Sequence, residues 1–439
     1  MGLTRVVVLS DLHLDAGPLA SFSNGEALAD LFASLHAPET TLVLAGDVLD
    51  LLHVQGRPRT LDLAAAPALV AQALEALRGE AWGRRVLDAW RAFLHGGGTC
   101  VVMPGNHDPE LHHPQAEQAL LAGLGLDGAA ALSVHRDETP WTAPLGELSV
   151  RVVHGHRIDP WNDIPPDDIR AALGGRRDVP LPVGSRLVTE VLPAFKLART
   201  PNGSPKFAFV DLLKPELPAV VLMLLYLDPV LALPRLRDAL GLAPAAVDRF
   251  LRASLRTGAV LATPAPPSIP DSAERLAATL AASIVAELPS ELRAASSRVT
   301  AQWDELTARR ARRASLAPHD GLGRFLLRAA LRALSDDGRF FDPGHLGADD
   351  AEALAAVPRG TGPQVLVRGH SHAAREHRAQ DITYINTGTW LDLMPLPRAD
   401  DDAQVQAWID AVESGTAPRL SRLTYADITA ADARLRSWP

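Results

Sequence analysis

The chain has 439 residues, 47% of them hydrophobic, enough for a large buried core and for more than one domain. Its net charge of −9 argues against global attraction to nucleic acid or to an anionic membrane surface. The single cysteine, Cys100, excludes an intrachain disulfide framework and fits a reducing cytoplasm.

Val6–Leu9 reads as a first strand. It is too short for the apolar core of a secretory leader and runs straight into Asp11-Leu12-His13, so no leader is expected. Leu28, Leu31, Phe32 and Leu35 fall at helical spacing. Thr41–Ala45 is a second strand, followed by Gly46-Asp47-Val48-Leu49-Asp50, and Ala64–Leu94 reads as a long helical stretch. Cys100–Met103 is a third strand, with Cys100 as a buried thiol, and leads into Gly105-Asn106-His107-Asp108. Val150–Val153 precedes His154-Gly155-His156. The rhythm up to this point is βαβ.

Residues 160–360 differ: alternation is scarce, amphipathic stretches are many, and proline clusters punctuate them. Asp271 with Glu274 resembles a capping box before Leu276, Leu280, Ile284 and Leu288. Val299, Trp303 and Leu306 suggest another helix, and Leu327, Ala330, Leu331 and Leu334 a third. The longest apolar run, Leu217–Leu227, is shorter than the ~18–20 residues that span a bilayer, so no transmembrane segment is expected. The Arg309–Arg313 run reads as a solvated helix face, and Asp400–Asp402 as a loop. Strand character returns with Val365–Val367, ahead of Gly369-His370-Ser371-His372, and again at Ile382–Ile385 and Leu420–Tyr425. The expected organisation is an α/β core over 1–159 and 361–439, interrupted by a mostly helical insert over 160–360.

Five polar clusters, each behind its own strand, fall along one edge of a sheet, where open α/β folds keep their sites. Carboxylates, imidazoles and one amide describe a divalent metal site, and two metals sharing a ligand. In an extended segment the spacing of Asp11 and His13 puts both on one side, and the same holds for His370 and His372. Two carboxylates, Asp11 and Asp47, against two divalent ions leave positive charge for a phosphate and a bridging hydroxide, and the amide of Asn106 preserves that excess. Metals ~3.5–4 Å apart acidify bridging water and clamp phosphoryl oxygens for in-line attack, with no Ser or Cys nucleophile required. His107 could then protonate the leaving group, held in orientation by Asp50.

The ordered set DxH, GDxxD, GNHD, HGH and GHSH, closed by Asn386-Thr387-Gly388-Thr389, resembles the calcineurin-like metallophosphoesterase superfamily. The resemblance implies a four-layer α/β/β/α sandwich with a dinuclear metal centre at the strand ends. By that likeness Asp11, His13 and His372 would hold one metal, Asn106, His154 and His370 the other, and Asp47 would bridge them. His107 would stand over the phosphate as proton donor or stabiliser, with Asp50 orienting it. His156 is a candidate further ligand or substrate contact, and His53 and His112 are candidates for the cleft lining. The implied metals are Mn²⁺ or Fe²⁺, with Zn²⁺ also compatible.

Departures from particular branches narrow the reading. Leu51 stands where the Ser/Thr protein phosphatases have arginine, and Asp50 where the purple acid phosphatases have a metal-binding tyrosine. The opening Asp11-Leu12-His13-Leu14 is similar to bacterial UDP-diacylglucosamine pyrophosphatases and to nucleases of the recombination-repair type. The former usually carry arginine where this chain has His107, and their helical lid is much smaller than the insert here. The expectation is hydrolysis of a phosphodiester or pyrophosphate in the cytoplasm. A nuclease and a lipid-linked UDP-sugar pyrophosphatase-like enzyme are the alternatives. A metal-free scaffold is disfavoured because every expected ligand is present. The partner is a phosphate-ester substrate; nucleic acid is not indicated by charge. The insert is read as a cap, in which Leu217–Leu227, Trp161 and Phe207–Phe209 would form its own core, suit an acyl or aromatic group, or make peripheral membrane contact.

Overall fold

Short runs rich in valine and leucine, without polar alternation, suit strands buried on both faces, and the first three form parallel neighbours. These are β1 (Arg5–Leu9), β2 (Thr40–Ala45) and β3 (Thr99–Met103). The computed structural model describes residues 3–126, 131–137, 139–159, 161–198, 213, 214, 224, 235, 238, 339–358, 362–397, 401–414 and 416–439. Within them the strands continue as β4 (Leu132–Val134), β5 (Trp141–Leu145), β6 (Leu148–Val152), β7 (Leu213–Lys214) and β8 (Gln364–Arg368). Then come β9 (Arg375–Ala379), β10 (Ile382–Asn386), β11 (Asp392–Pro395), β12 (Leu420–Ser421), β13 (Thr424–Thr429) and β14 (Ala433–Ser437).

One sheet has the order β14-β13-β1-β2-β3-β4 and a second the order β5-β6-β8-β10-β9. In the first, β1 to β4 are parallel, and β13 and β14 add an antiparallel flank. In the second, β6, β8 and β10 are parallel, with antiparallel β5 and β9 on the edges. Alternation sorts the side chains between layers. Val7, Leu9, Leu42, Leu44, Cys100 and Val102 join a core with helices α1 (Gly25–Ser34), α2 (Ala66–Gly79), α3 (Ala81–His95) and α4 (Pro114–Leu124). Val6, Val8, Val43 and Ala45 pack with Val150, Val152, Val365 and Val367 of the second sheet. On that sheet's outer face Leu366 and Tyr384 meet Ala353 and Leu354 of the helix Ala348–Ala355. The architecture is the four-layer α/β/β/α sandwich.

Several expectations are corrected in detail. The stretch Ala64–Leu94 is two helices, because Glu80 takes an extended backbone (φ −89°, ψ 142°) between α2 and α3. The bend lets both halves bury an apolar face, Leu69 to Leu77 on α2 and Val86 to Leu94 on α3. Leu420–Tyr425 is likewise β12 and the start of β13 rather than one strand. Asp402 opens the helix Asp402–Ser414 instead of lying in a loop. Strands β9 and β14 were not foreseen, since their Arg- and Glu-bearing sequences carry no apolar run; such charges suit sheet edges.

The chain divides into two compact units, one of Met1–Ser185, Arg339–Leu393 and Leu420–Pro439, the other of Arg186–Gly338 and Met394–Arg419. In the second unit Leu213 and Lys214 pair in parallel with Met394 and Pro395, and Trp408 Nε1 donates to the Pro395 carbonyl at 2.9 Å. The helices expected at 271–288, 299–306 and 327–334, the Arg309–Arg313 run, Phe207–Phe209 and all of Leu217–Leu227 but Leu224 lie outside the described residues. No described helix is long and apolar enough to cross a membrane.

One interaction in the first unit had no signal in the sequence. Arg57 Nη2 lies 2.6 Å from Glu110 Oε1, and their side chains are 3% and 1% exposed. Removing one member of a buried ion pair strands the other charge and costs about 3–5 kcal/mol. Glu110→Ala is therefore expected to lower the midpoint of urea unfolding strongly, whereas a midpoint within error of the unmodified protein would show that water solvates Arg57.

Candidate metal centre

All five polar clusters sit where a parallel strand ends: β1, β2 and β3 in one sheet, β6 and β8 in the other. The loops are tied to each other through backbone. Asp11 N donates to Gly46 O (3.1 Å), His13 N to Asp47 O (2.8 Å) and Leu14 N to Val48 O (2.9 Å), joining the first and second clusters. The Asp108 carboxylate joins the second and third, accepting from Asp47 N (3.3 Å), Val48 N (2.8 Å), Leu49 N (3.2 Å) and Gly105 N (2.7 Å). Asp11 Oδ2 accepts from His370 N (2.8 Å) and from Ser10 Oγ, which brings in the fifth. Two glycines are required by these close approaches. A Cβ on Gly105 would lie 2.1 Å from Asp47 Oδ1, and one on Gly369 2.2 Å from Ser10 Oγ.

Among the described residues six non-glycines have positive φ, and five of them are Asp11 (52°), His13 (48°), Asp47 (51°), His370 (69°) and His372 (59°). Left-handed backbone at non-glycine residues costs of order 1–3 kcal/mol each and concentrates at functional sites. This corrects the spacing argument. The paired side chains converge through left-handed turns beyond the strand ends, not through extended segments.

Three triads of side chains are close enough to share an ion: Asp11, His13 and His372; His13, Asp47 and His107; and Asp47, His154 and His370. Asp47 belongs to two of them. His13 Nε2 and His372 Nε2 are 3.1 Å apart, His372 Nε2 is 3.3 Å from Asp11 Oδ1, and His154 Nε2 lies 3.2 Å from Asn106 Oδ1 and 3.3 Å from Asp47 Oδ2. Among the described residues no hydrogen-bond partner reaches the buried Asp11 Oδ1. Such a convergence of lone pairs, short of donors, fits divalent cations.

The calcineurin-like phosphoesterase family model matches residues 4–180. Over that stretch the sequence is that of a calcineurin-like phosphoesterase. No curated protein matches it. The matched stretch carries four of the clusters, and the fifth, with His370 and His372, reaches them across the fold.

The electrostatics of the site keep Asp11, Asp47 and Asp50 ionised. Burial alone would raise Asp47, but His154, His107 and His13 outweigh it and hold the group well below the usual range. Asp50 is held low in the same way by His53 and His107, and Asp11 by His372 and His154. Burial opposes charge on His154, yet Asp47, Asp11 and Asp108 carry it up to about 9. A cation arriving there displaces that proton.

His107 Nδ1 is 3.1 Å from Asp50 Oδ1, and its backbone N donates to Asp47 Oδ1 at 2.7 Å. With a side-chain exposure of 15%, against 5% or less for Asp11, His13, Asp47 and His372, it is the group of this set most open to a substrate. The three accessory histidines go different ways. His53 Nδ1 lies 2.7 Å from Asp15 Oδ2 and 3.3 Å from Asp50 Oδ2, forming a fourth cluster with ion-sized spacing. His112 Nδ1 is 3.2 Å from the Arg136 carbonyl, and burial pushes it down to about 4. His156 is buried 5.3 Å from the His154 ring, depressed first by burial and then by His154 and His370, and among the described residues its Nδ1 has no hydrogen-bond partner.

Four residues of this neighbourhood escaped the sequence reading: Asp15, Asp108, Asp159 and Asn162. Asp108 stands inside the third cluster but was given no role of its own, and Asp15 follows the first by two positions. Asp159 and Asn162 lie past the fourth cluster, where no spacing rule pointed to them.

Proposed function

We propose that this metallophosphoesterase hydrolyses a phosphodiester or pyrophosphate bond with the help of two divalent cations, Mn²⁺ or Fe²⁺ by preference. The observation that supports this reading is that Asp47 shares one triad with His13, a member of the Asp11 and His372 group, and another with His154 and His370, the arrangement expected of a shared ligand. Asp11, His13 and His372 would hold one cation, and Asn106, His154 and His370 the other, with Asp47 between them. Bound there, divalent cations supply charge for the phosphoryl oxygens and make water acidic enough to attack at neutral pH. His107 gives its proton to the departing oxygen. Asp50, accepting from Nδ1, fixes the ring so that this proton is carried on Nε2. We further propose that the 160–360 region acts as a cap that selects the group attached to the phosphate, and that the enzyme works in the cytoplasm.

The test is turnover of bis-p-nitrophenyl phosphate. The protein supplied with Mn²⁺ is expected to cleave it, to stop on chelation, and to recover on metal addition. Absence of turnover with Mn²⁺, Fe²⁺ and Zn²⁺ alike would overturn the proposal. Single-stranded and duplex DNA are the second arm: degradation of either polymer would reassign the enzyme as a nuclease.

A further inference from the structure

Immediately after His156 the chain makes a tight turn in which Asp159 faces back toward the centre. Trp161 N donates to Asp159 Oδ1 (2.9 Å), and the backbone N of Asn162 and of Asp163 donates to the Asp159 carbonyl (3.0 and 2.8 Å). With Oδ1 engaged, Oδ2 meets two groups, Asn162 Nδ2 at 2.7 Å and His370 Nε2 at 3.0 Å. Asn162 Oδ1 accepts in turn from Asn106 Nδ2 at 3.3 Å. A Cβ on Gly184 would lie 2.1 Å from Asn162 Oδ1, so the glycine lets that amide seat. The result is an unbroken run, Asn106 to Asn162 to Asp159 to His370, linking two clusters that are far apart in sequence.

Each link makes a choice of atom. An asparagine side chain binds a cation through oxygen only, and the wrong amide rotamer would present hydrogens. With Nδ2 held by Asn162, Asn106 turns Oδ1 toward His154 Nε2, 3.2 Å away. A histidine offers either nitrogen, and the hydrogen bond on one decides which is left for metal. With Nε2–H given to Asp159, His370 keeps Nδ1 for the cation. Resting on the function proposed above, we propose that Asp159 and Asn162 are positioning residues for the second cation, selecting Nδ1 of His370 and Oδ1 of Asn106 as its ligand atoms.

The experiment is Mn²⁺ titration of the full chain, followed by the electron paramagnetic resonance of free and bound ion. The unmodified protein is expected to bind two ions. Asp159→Ala and Asn162→Ala are each expected to weaken one of the two sites about 10–100-fold, as loss of an outer hydrogen-bond partner does, and to leave the other unchanged. Two ions bound with unaltered affinity in both variants would overturn the proposal, and so would equal loss at both sites. An unmodified protein that binds no Mn²⁺ would instead defeat the functional reading beneath it. Should neither variant fold, nuclear magnetic resonance of ¹⁵N-histidine-labelled, Zn²⁺-loaded protein decides. His370 is expected with its proton on Nε2; a proton on Nδ1 would reject the assignment.

Discussion

Alanine at Asp47 is expected to abolish hydrolysis of bis-p-nitrophenyl phosphate and to strip the protein of bound Mn²⁺. Asp47 Oδ2 is 3.3 Å from His154 Nε2 and 3.8 Å from His13 Nε2, while Oδ1 accepts the His107 backbone N–H. Among the described residues no other carboxylate belongs to two of the triads. Its loss removes the shared anion and also frees the loop that carries His107. Single electrostatic groups at a reacting centre are worth about 10²–10³ in rate, so a shared ligand that also holds a neighbour should cost at least about 10³. The checks are turnover and metal content of the purified variant, with circular dichroism confirming the fold. Hydrolysis surviving at the original rate would end the two-cation reading.

His107→Ala is expected to behave differently: metal content intact, kcat lower by about 10²–10⁴, the usual range for a positioned acid or base. The discriminating feature is the leaving group. Nitrophenolate departs readily without a proton, whereas an alkoxide does not. The penalty should therefore be smaller for bis-p-nitrophenyl phosphate than for an alkyl nitrophenyl diester when cleavage is read at the alkoxide side. An equal penalty for both would mean that His107 stabilises the phosphoryl oxygens instead of donating a proton. Asp50→Asn is expected to fall between, because the Asp15–His53 pair still supports that corner from behind.

The strands that carry the five clusters were legible because each holds a short apolar run, buried on both faces in β1, β2 and β8, a pattern that survives translation into sequence. Val6–Leu9 and Val365–Val367 are of this kind. β9 and β14 were not legible, since an edge strand needs charge more than apolar alternation. Residues such as Asp11, Asp47, His154 and His372 could be picked out because donor type and order together mark them. How they converge could not be seen, because φ near 50° at Asp11 and His13 is imposed by tertiary hydrogen bonds and not by local preference. Asp159 and Asn162 were invisible for a related reason: their partners, His370 and Asn106, are neighbours only in space.

The pairing of β1 with β13 has a consequence for biosynthesis. Arg5 to Val8 find their antiparallel partner in Ala426 to Thr429, far along the chain. A nascent polypeptide therefore leaves the ribosome with one flank of this strand unzipped, exposed to any other extended segment, until Ala426 to Thr429 have been made. Chaperone occupancy of that flank would be the cellular counterpart of a sheet whose neighbouring strands are made far apart in time.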